Sequence, residues 1–214
     1  MKIETIIVGP IDVNCYILYC ERHKAAIIVD PGDSSRRIID FLDGRELKPK
    51  LIVNTHGHPD HTGAVGALTA HYDIPFLCHQ NDEWMAYDEG MIQLARYYGL
   101  KPMPKNDATV EDGETIALCD DFMIQVIHTP GHTPGGICLL ANGKHLFTGD
   151  TLFQGSVGRS DMPGGDHDQL IDSIRLKLLV LPDEVIVYPG HGDTSTIGYE
   201  KQHNPFLRQT EGFA

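Results

Sequence analysis

Residues 55–61 read Thr55-His56-Gly57-His58-Pro59-Asp60-His61 and follow directly on the apolar segment Leu51-Ile52-Val53. Four potential metal ligands thus fall within one short run. Imidazole and carboxylate together suit zinc, iron or manganese. One short segment seldom supplies four ligands to a single ion, so the run points to two adjacent metals, and a metal pair points to hydrolysis rather than scaffolding.

Three further candidates stand in matching contexts. His132 follows the strand-like run Phe122–His128, Asp150 follows His145–Thr148, and His191 follows Val185–Tyr188, each with glycine beside it. Glycine permits tight turns and close backbone approach. Ligands at strand ends can meet on one rim of a sheet scaffold although they are far apart in sequence. Pro59 disfavours helix at His58 and keeps the segment extended up to Asp60. His56 and His58 then project to one side, and Asp60 and His61 lie near a helix N-terminus that welcomes a carboxylate.

Around these motifs the chain is ordinary. Its 214 residues, 41% hydrophobic and 22% charged, suffice for one good core, and residues 1–214 are read as one domain. Strand-like segments run Lys2–Val8, Asn14–Cys20, Ala25–Val29 and Leu51–Asn54, with Glu114–Cys119 and Gly136–Leu140 joining those named above. Helices are expected from Ser34 to Asp43, capped by Asp33 or Ser34 and stopped by Gly44, from Asp60 to His71, across Asn81 to Tyr98, and from Asp168 to Leu178. Two β-rich stretches, each followed by helix, suit an α+β arrangement of two sheets face to face with helices outside; periodicity leaves a doubly wound fold open.

Trp84, Tyr87, Tyr97 and Tyr98 are read as packing residues of amphipathic helices, with a pocket-flanking role as the alternative. His23, His71, His79, His128, His145, His167 and His203 are read as structural. The five cysteines form no C-x-x-C pair and are read as small buried hydrophobes of a reducing compartment. A formal charge of −13 argues against nucleic-acid binding. Without a membrane-length apolar run or a signal-peptide pattern, the expectation is a cytoplasmic protein without membrane partners.

The ligand run, the later histidine, aspartate and histidine, and an early aspartate in Val29-Asp30-Pro31-Gly32 resemble the pattern of the metallo-β-lactamase-fold hydrolases over nearly the whole chain. The resemblance implies a four-layer αββα sandwich with the site at the rim of its sheets. It implies that His56, His58 and His132 hold one metal, that Asp60, His61 and His191 hold the other, and that Asp150 bridges them. Asp60 and Asp150 are the carboxylates implicated in catalysis, and Asp30 would orient the ligand loop from behind. Two divalent ions are implied, zinc first, with iron or manganese also suited.

Within that superfamily, Thr148-Gly149-Asp150-Thr151-Leu152-Phe153, the loop Gly158-Arg159-Ser160-Asp161 with Pro163-Gly164-Gly165-Asp166, and Thr196–Glu200 with Asn204-Pro205-Phe206-Leu207 are similar to short bacterial glyoxalase II, the hydroxyacylglutathione hydrolase. That likeness implies a small acyl thioester as substrate, S-lactoylglutathione or a relative, attacked by a metal-bridging hydroxide. Pro59 replaces an aromatic residue usual in the longer enzymes, and too few residues follow His191 for their extra helical domain. Arg159 is the candidate for gripping a substrate carboxylate, with an internal salt bridge to Asp161 or Asp166 as the alternative. Asp161 is read as fixing the loop or supporting the ligands. The competing readings are a persulfide dioxygenase, with one iron on His56, His132 and Asp150, and a lactone hydrolase.

Overall fold

A computed structural model describes residues 1–119 and 122–208. Its elements run β1 (Lys2–Val8), β2 (Val13–Tyr19), β3 (Ala25–Val29), α1 (Ser35–Gly44), β4 (Lys48–Val53), α2 (Pro59–Thr62), α3 (Val65–Tyr72) and β5 (Phe76–Cys78). A 3-10 helix (Gln80–Ala86), α4 (Glu89–Tyr97), β6 (Ala108–Thr109), β7 (Thr115–Cys119), β8 (Phe122–His128), β9 (Ile137–Ala141) and β10 (His145–Gly149) follow. The last third holds β11 (Leu152–Phe153), β12 (Ser156–Val157), α5 (His167–Ser173), a π-helical turn (Ile174–Leu178), β13 (Ile186–Pro189), β14 (Ser195–Thr196) and α6 (Ile197–His203).

Alternation along the strands builds the layers. In β2, Cys15 and Ile17 face a core shared with Ile38, Leu42 and Leu68 of α1 and α3, whereas Tyr16 and Leu18 face the opposite way. The strand is buried on both faces, and β3 behaves likewise, with Ala26 and Ile28 toward the helices and Ile27 and Val29 away from them. In the second half Leu139 and Phe147 meet those inward residues, while Cys138, Leu146 and Val187 pack on Leu170, Ile174 and Ile197. Three cores therefore separate four layers, helix, sheet, sheet and helix, and the fold is the αββα sandwich. The first sheet has the order β1-β2-β3-β4-β5-β6 and the second β14-β13-β10-β9-β8-β7. β3 to β6 run parallel, as do β10 and β13, so their C-terminal ends collect the ligand runs.

Several boundaries differ from the sequence expectation for identifiable reasons. The helix expected from Asp60 to His71 is two pieces, α2 and α3. At the break, the Ala64 N–H donates to the Pro31 carbonyl at 2.9 Å instead of continuing the helix. Strand β4 begins at Lys48 rather than Leu51, and Pro49 is tolerated there because the register with β3 shifts at Ala26/Ile27. The helix expected to reach Leu178 changes to π geometry after Ser173. Ser34 is the cap residue of α1, but its side chain makes no capping bond.

The aromatic reading also needs correcting. Tyr87 and Tyr97 are 61% and 82% exposed, so they pack little; Trp84 does pack on the first core. Of the cysteines, Cys15, Cys78 and Cys138 are buried, but Cys20 and Cys119 are only half-buried, contrary to a uniform core role. No described helix is long and apolar enough to cross a membrane.

Candidate metal centre

The seven side chains singled out by sequence converge at the rim where β4, β8, β10 and β13 end. Their contact begins behind the cluster, at Asp30. This residue follows β3 with φ 50°, a left-handed conformation that a non-glycine residue adopts at a cost. Buried there, its carboxylate accepts from the Thr55 N–H at 2.7 Å, the Thr55 hydroxyl at 2.6 Å and His61 Nδ1 at 3.1 Å.

This network sets the imidazole tautomers. The Thr55 hydroxyl spends its single proton on Asp30, so toward His56 Nδ1, 3.1 Å away, its oxygen is an acceptor. His132 Nδ1 donates to the Arg159 carbonyl at 2.6 Å, and His191 Nδ1 donates to the Ile11 carbonyl at 3.0 Å. With Nδ1 committed as a donor in His56, His61, His132 and His191, Nε2 is the nitrogen that each ring turns toward the cluster. His58 differs: its Nδ1 lies 3.0 Å from His132 Nε2.

The donor atoms fall into overlapping groups of three, His56/His58/His132, Asp60/His61/His191 and His56/His61/Asp150, each within 4.8 Å. Asp150 reaches both ends of the cluster. Its Oδ1 is 3.4 Å from His61 Nε2, and its Oδ2 is 3.7 Å from both His132 Nε2 and His191 Nε2. Asp60 Oδ2 is 3.4 Å from His191 Nε2.

These residues fit cations. Six buried side-chain atoms among the described residues lack a hydrogen-bond partner, and four are in this cluster: Nε2 of His56, His58 and His61, and Oδ1 of Asp150. Such atoms are costly unless something electrophilic meets them. Burial pushes His56 well below its ordinary pKa and His58 down to about 3, so both stay neutral, as ligands must. Burial would also depress His61, but Asp150, Asp60 and Asp30 overcome it and hold this imidazole well above its usual value. Burial would raise Asp150, but His61, His132 and His191 hold it below the usual carboxylate range. The carboxylates thus draw positive charge into the cluster while burial disfavours placing it on His56 or His58. The cluster is a His/Asp metal-binding arrangement.

Two supporting groups escaped sequence reasoning. Asp82, in the 3-10 helix, is completely buried and accepts from the Gly57 N–H at 3.0 Å, the Thr133 hydroxyl at 2.7 Å and the Gly135 N–H at 2.6 Å. It joins the 56–61 run to the His132 loop. Nothing in Gln80-Asn81-Asp82-Glu83 marks it, because an acidic residue in a first helical turn is commonplace. The second group is Ile11, Leu94 and Met162, the apolar wall of a cavity of about 390 Å³ beside the cluster; they face His58, Asp60, Asp150 and His191 together with Tyr98, for which the pocket-flanking alternative holds. Arg159 also lines it, and its guanidinium grips Asp161 with two bonds of 2.7 and 2.9 Å. Asp161 is exposed and pairs with Arg159 rather than with a cluster side chain.

Residues 8–191 match the Metallo-beta-lactamase superfamily. The chain belongs to that superfamily. Against the hydroxyacylglutathione hydrolase GloC of Haemophilus influenzae it is 41% identical, covering 97% of this chain and 98% of the relative. The crystal structure of BLEG-1 B3 metallo-beta-lactamase superposes with a TM-score of 0.88 at 38% identity, over 96% of this chain and 99% of the other. That of TTHA1623 in a di-iron-bound form gives 0.84 at 38% identity, over 95% and 100%. The protein is a metallo-hydrolase of the superfamily; imidazole and carboxylate are ligand types that suit both zinc and iron.

Proposed function

We propose that the protein hydrolyses small acyl thioesters, S-lactoylglutathione among them, with two divalent ions held at the rim. The observation that carries this reading is the double grouping of donors, with Asp150 in contact with both ends. His56, His58 and His132 would hold one ion, Asp60, His61 and His191 the other, and Asp150 would bridge them. Such a pair supplies a water acidified to a pKa near ~7 and a Lewis acid for the carbonyl.

The chain does the rest. Asp30, the Arg159 carbonyl and the Ile11 carbonyl keep four imidazoles in the tautomer that binds. Asp60 and Asp150, both held ionised, offset the cationic charge and face the cavity. Ile11, Leu94 and Met162 cover the acyl group and exclude water. Arg159 would exchange Asp161 for a substrate carboxylate; an exposed ion pair is weak enough to be displaced. A thiol leaving group has a pKa of ~8.5 and departs as thiolate, so no acid is required. This suits a cavity wall on which, apart from the cluster and Arg159, Tyr98 is the one titratable side chain among the described residues.

A lactam is the second reading, favoured by the likeness to the B3 metallo-beta-lactamase. Its amine leaving group needs a proton, for which the cavity offers less. Elemental analysis of the purified protein, with a panel of S-lactoylglutathione, other acyl thioesters, a lactone, a lactam and glutathione persulfide, separates the candidates. Two bound ions with thioester turnover are expected. Two ions without thioester turnover overturn the thioester assignment, and one iron with oxygen uptake on the persulfide replaces it with a dioxygenase.

A further inference from the structure

A second group of soft donors lies away from the rim. Cys20, His23 and Cys119 each offer one ligand atom, and these atoms lie within 4.8 Å of one another. Cys20 follows β2, His23 is in the turn before β3, and Cys119 ends β7, so the first sheet supplies two of the donors and the second sheet the third.

Topology places this group at the opposite end of the sandwich. Strand β2 starts at the rim, where Val13 is bridged to His191, and runs away from it to Tyr19. Strand β8 starts at Phe122, opposite Cys119, and runs toward the rim at His128. The local chain geometry aims the donors together. Cys20 continues the alternation of Tyr16 and Leu18, which face the inter-sheet core. In β7, Ile116 and Leu118 face that core, and Cys119 would turn outward under strict alternation. The register shifts between Ala117 and Cys119, however, and Cys119 is set against Phe122 and packs on the same core. Re-aiming one side chain is what such irregularities do. His23 is exposed, and its Nδ1 is 3.3 Å from Cys20 Sγ.

We propose that Cys20, His23 and Cys119 form a separate site for a thiophilic cation of the zinc class, clipping the two sheets together at the end remote from the catalytic rim. Two thiolates and an imidazole are the donors such an ion prefers, and the exposed side leaves a fourth position for solvent. Zn–S bonds of about 2.3 Å in tetrahedral geometry bring sulfurs to roughly 3.8 Å, a small side-chain adjustment from the separations present. Binding releases the two thiol protons to solvent.

Cobalt(II), added to the reduced full chain, tests this directly, because the rim cluster contains no sulfur donor. A saturable thiolate-to-cobalt charge-transfer band in the near ultraviolet is expected. It should vanish in Cys20→Ser and in Cys119→Ser, weaken at least tenfold in apparent affinity in His23→Ala, and persist in Asp150→Ala. The Cys20→Ser, Cys119→Ser double variant should keep its substrate turnover, which shows that it folds. As a second readout, zinc should protect Cys20 and Cys119 of the parent protein from alkylation, read by peptide mass. No thiolate band in the reduced protein, a band that survives the double variant, or alkylation indifferent to zinc overturns the site.

Discussion

Single residues decide how the rim cluster presents its lone pairs, and Asp30 is the most consequential. Buried in a left-handed conformation, it takes three hydrogen bonds that fix both Thr55 and His61. Asp30→Asn keeps the size but puts a donor where only acceptors fit. Metal affinity or kcat/KM should fall roughly 10–100-fold, and elemental analysis with kinetics would show it; an unchanged metal content would refute the orienting role. Arg159→Ala should raise KM about tenfold, the worth of a charged hydrogen bond, with little change in kcat; steady-state kinetics that move kcat alone would remove Arg159 from substrate binding.

His79 carries a prediction of a different kind. It stacks on His128, with ring centroids 4.1 Å apart and planes 8° apart, and burial followed by the charge of His128 pushes its pKa down to about 4. The folded state therefore resists a proton that the unfolded chain accepts near ~6.5. Stability should be complete above that value and decline as pH falls toward about 4. Denaturant unfolding across this range should show a shallower decline in His79→Asn; an identical slope would rule the histidine out as its source.

Elements matter here because their ends are held to one another. The break between α2 and α3 lets the ligand helix press against the turn after β3. A Cβ on Gly32 would sit 1.6 Å from the Asp60 carbonyl oxygen, and one on Gly158 would sit 1.8 Å from that of Asp150. Both loops approach backbone to backbone, as only glycine allows. Asp82 holds the 3-10 helix, the 56–61 run and the His132 loop as one body. Asp82→Ala leaves two buried N–H groups without partners, which should cost about 3 kcal/mol and lower metal affinity as well; equilibrium unfolding of both proteins measures the first effect. Much of this level was legible beforehand. The strand-like runs, the helix after β3 and the strand-end position of every rim donor follow from periodicity and turn residues. The α2/α3 break was hidden, because it is made by Pro31 and Gly32, about thirty residues upstream. The Cys20–Cys119 approach was hidden too, because a register irregularity in β7 brings it about.

For the whole molecule, the rim cluster lies on the seam between the sheets. Its candidate donors come from the ends of β4 in the first sheet and of β8, β10 and β13 in the second, so ions held there would tie the halves of the sandwich together. An ion that binds only the folded chain, present at about a thousand times its Kd, stabilises by ~4 kcal/mol. For a chain of this length that corresponds to roughly 10 °C in Tm. Chelation should therefore lower Tm on the order of 10 °C and zinc should restore it; a Tm unmoved by complete metal removal would mean that the sandwich holds without the seam.

The sequence by itself marked seven candidate donors and, through the family resemblance their motifs carry, pointed to the layered fold and the metallo-hydrolase class, because metal coordination demands particular atoms and leaves them clustered in short motifs. It also determined which strand faces are apolar, since the pleat alternates side chains locally. Tertiary structure alone decided what surrounds those donors: the tautomers set by Asp30 and two distant carbonyls, the brace from Asp82, the apolar wall of Ile11, Leu94 and Met162, and the meeting of Cys20 with Cys119. These depend on contacts between segments far apart along the chain, where ordinary residue types acquire a role only through the partner that packing brings to them.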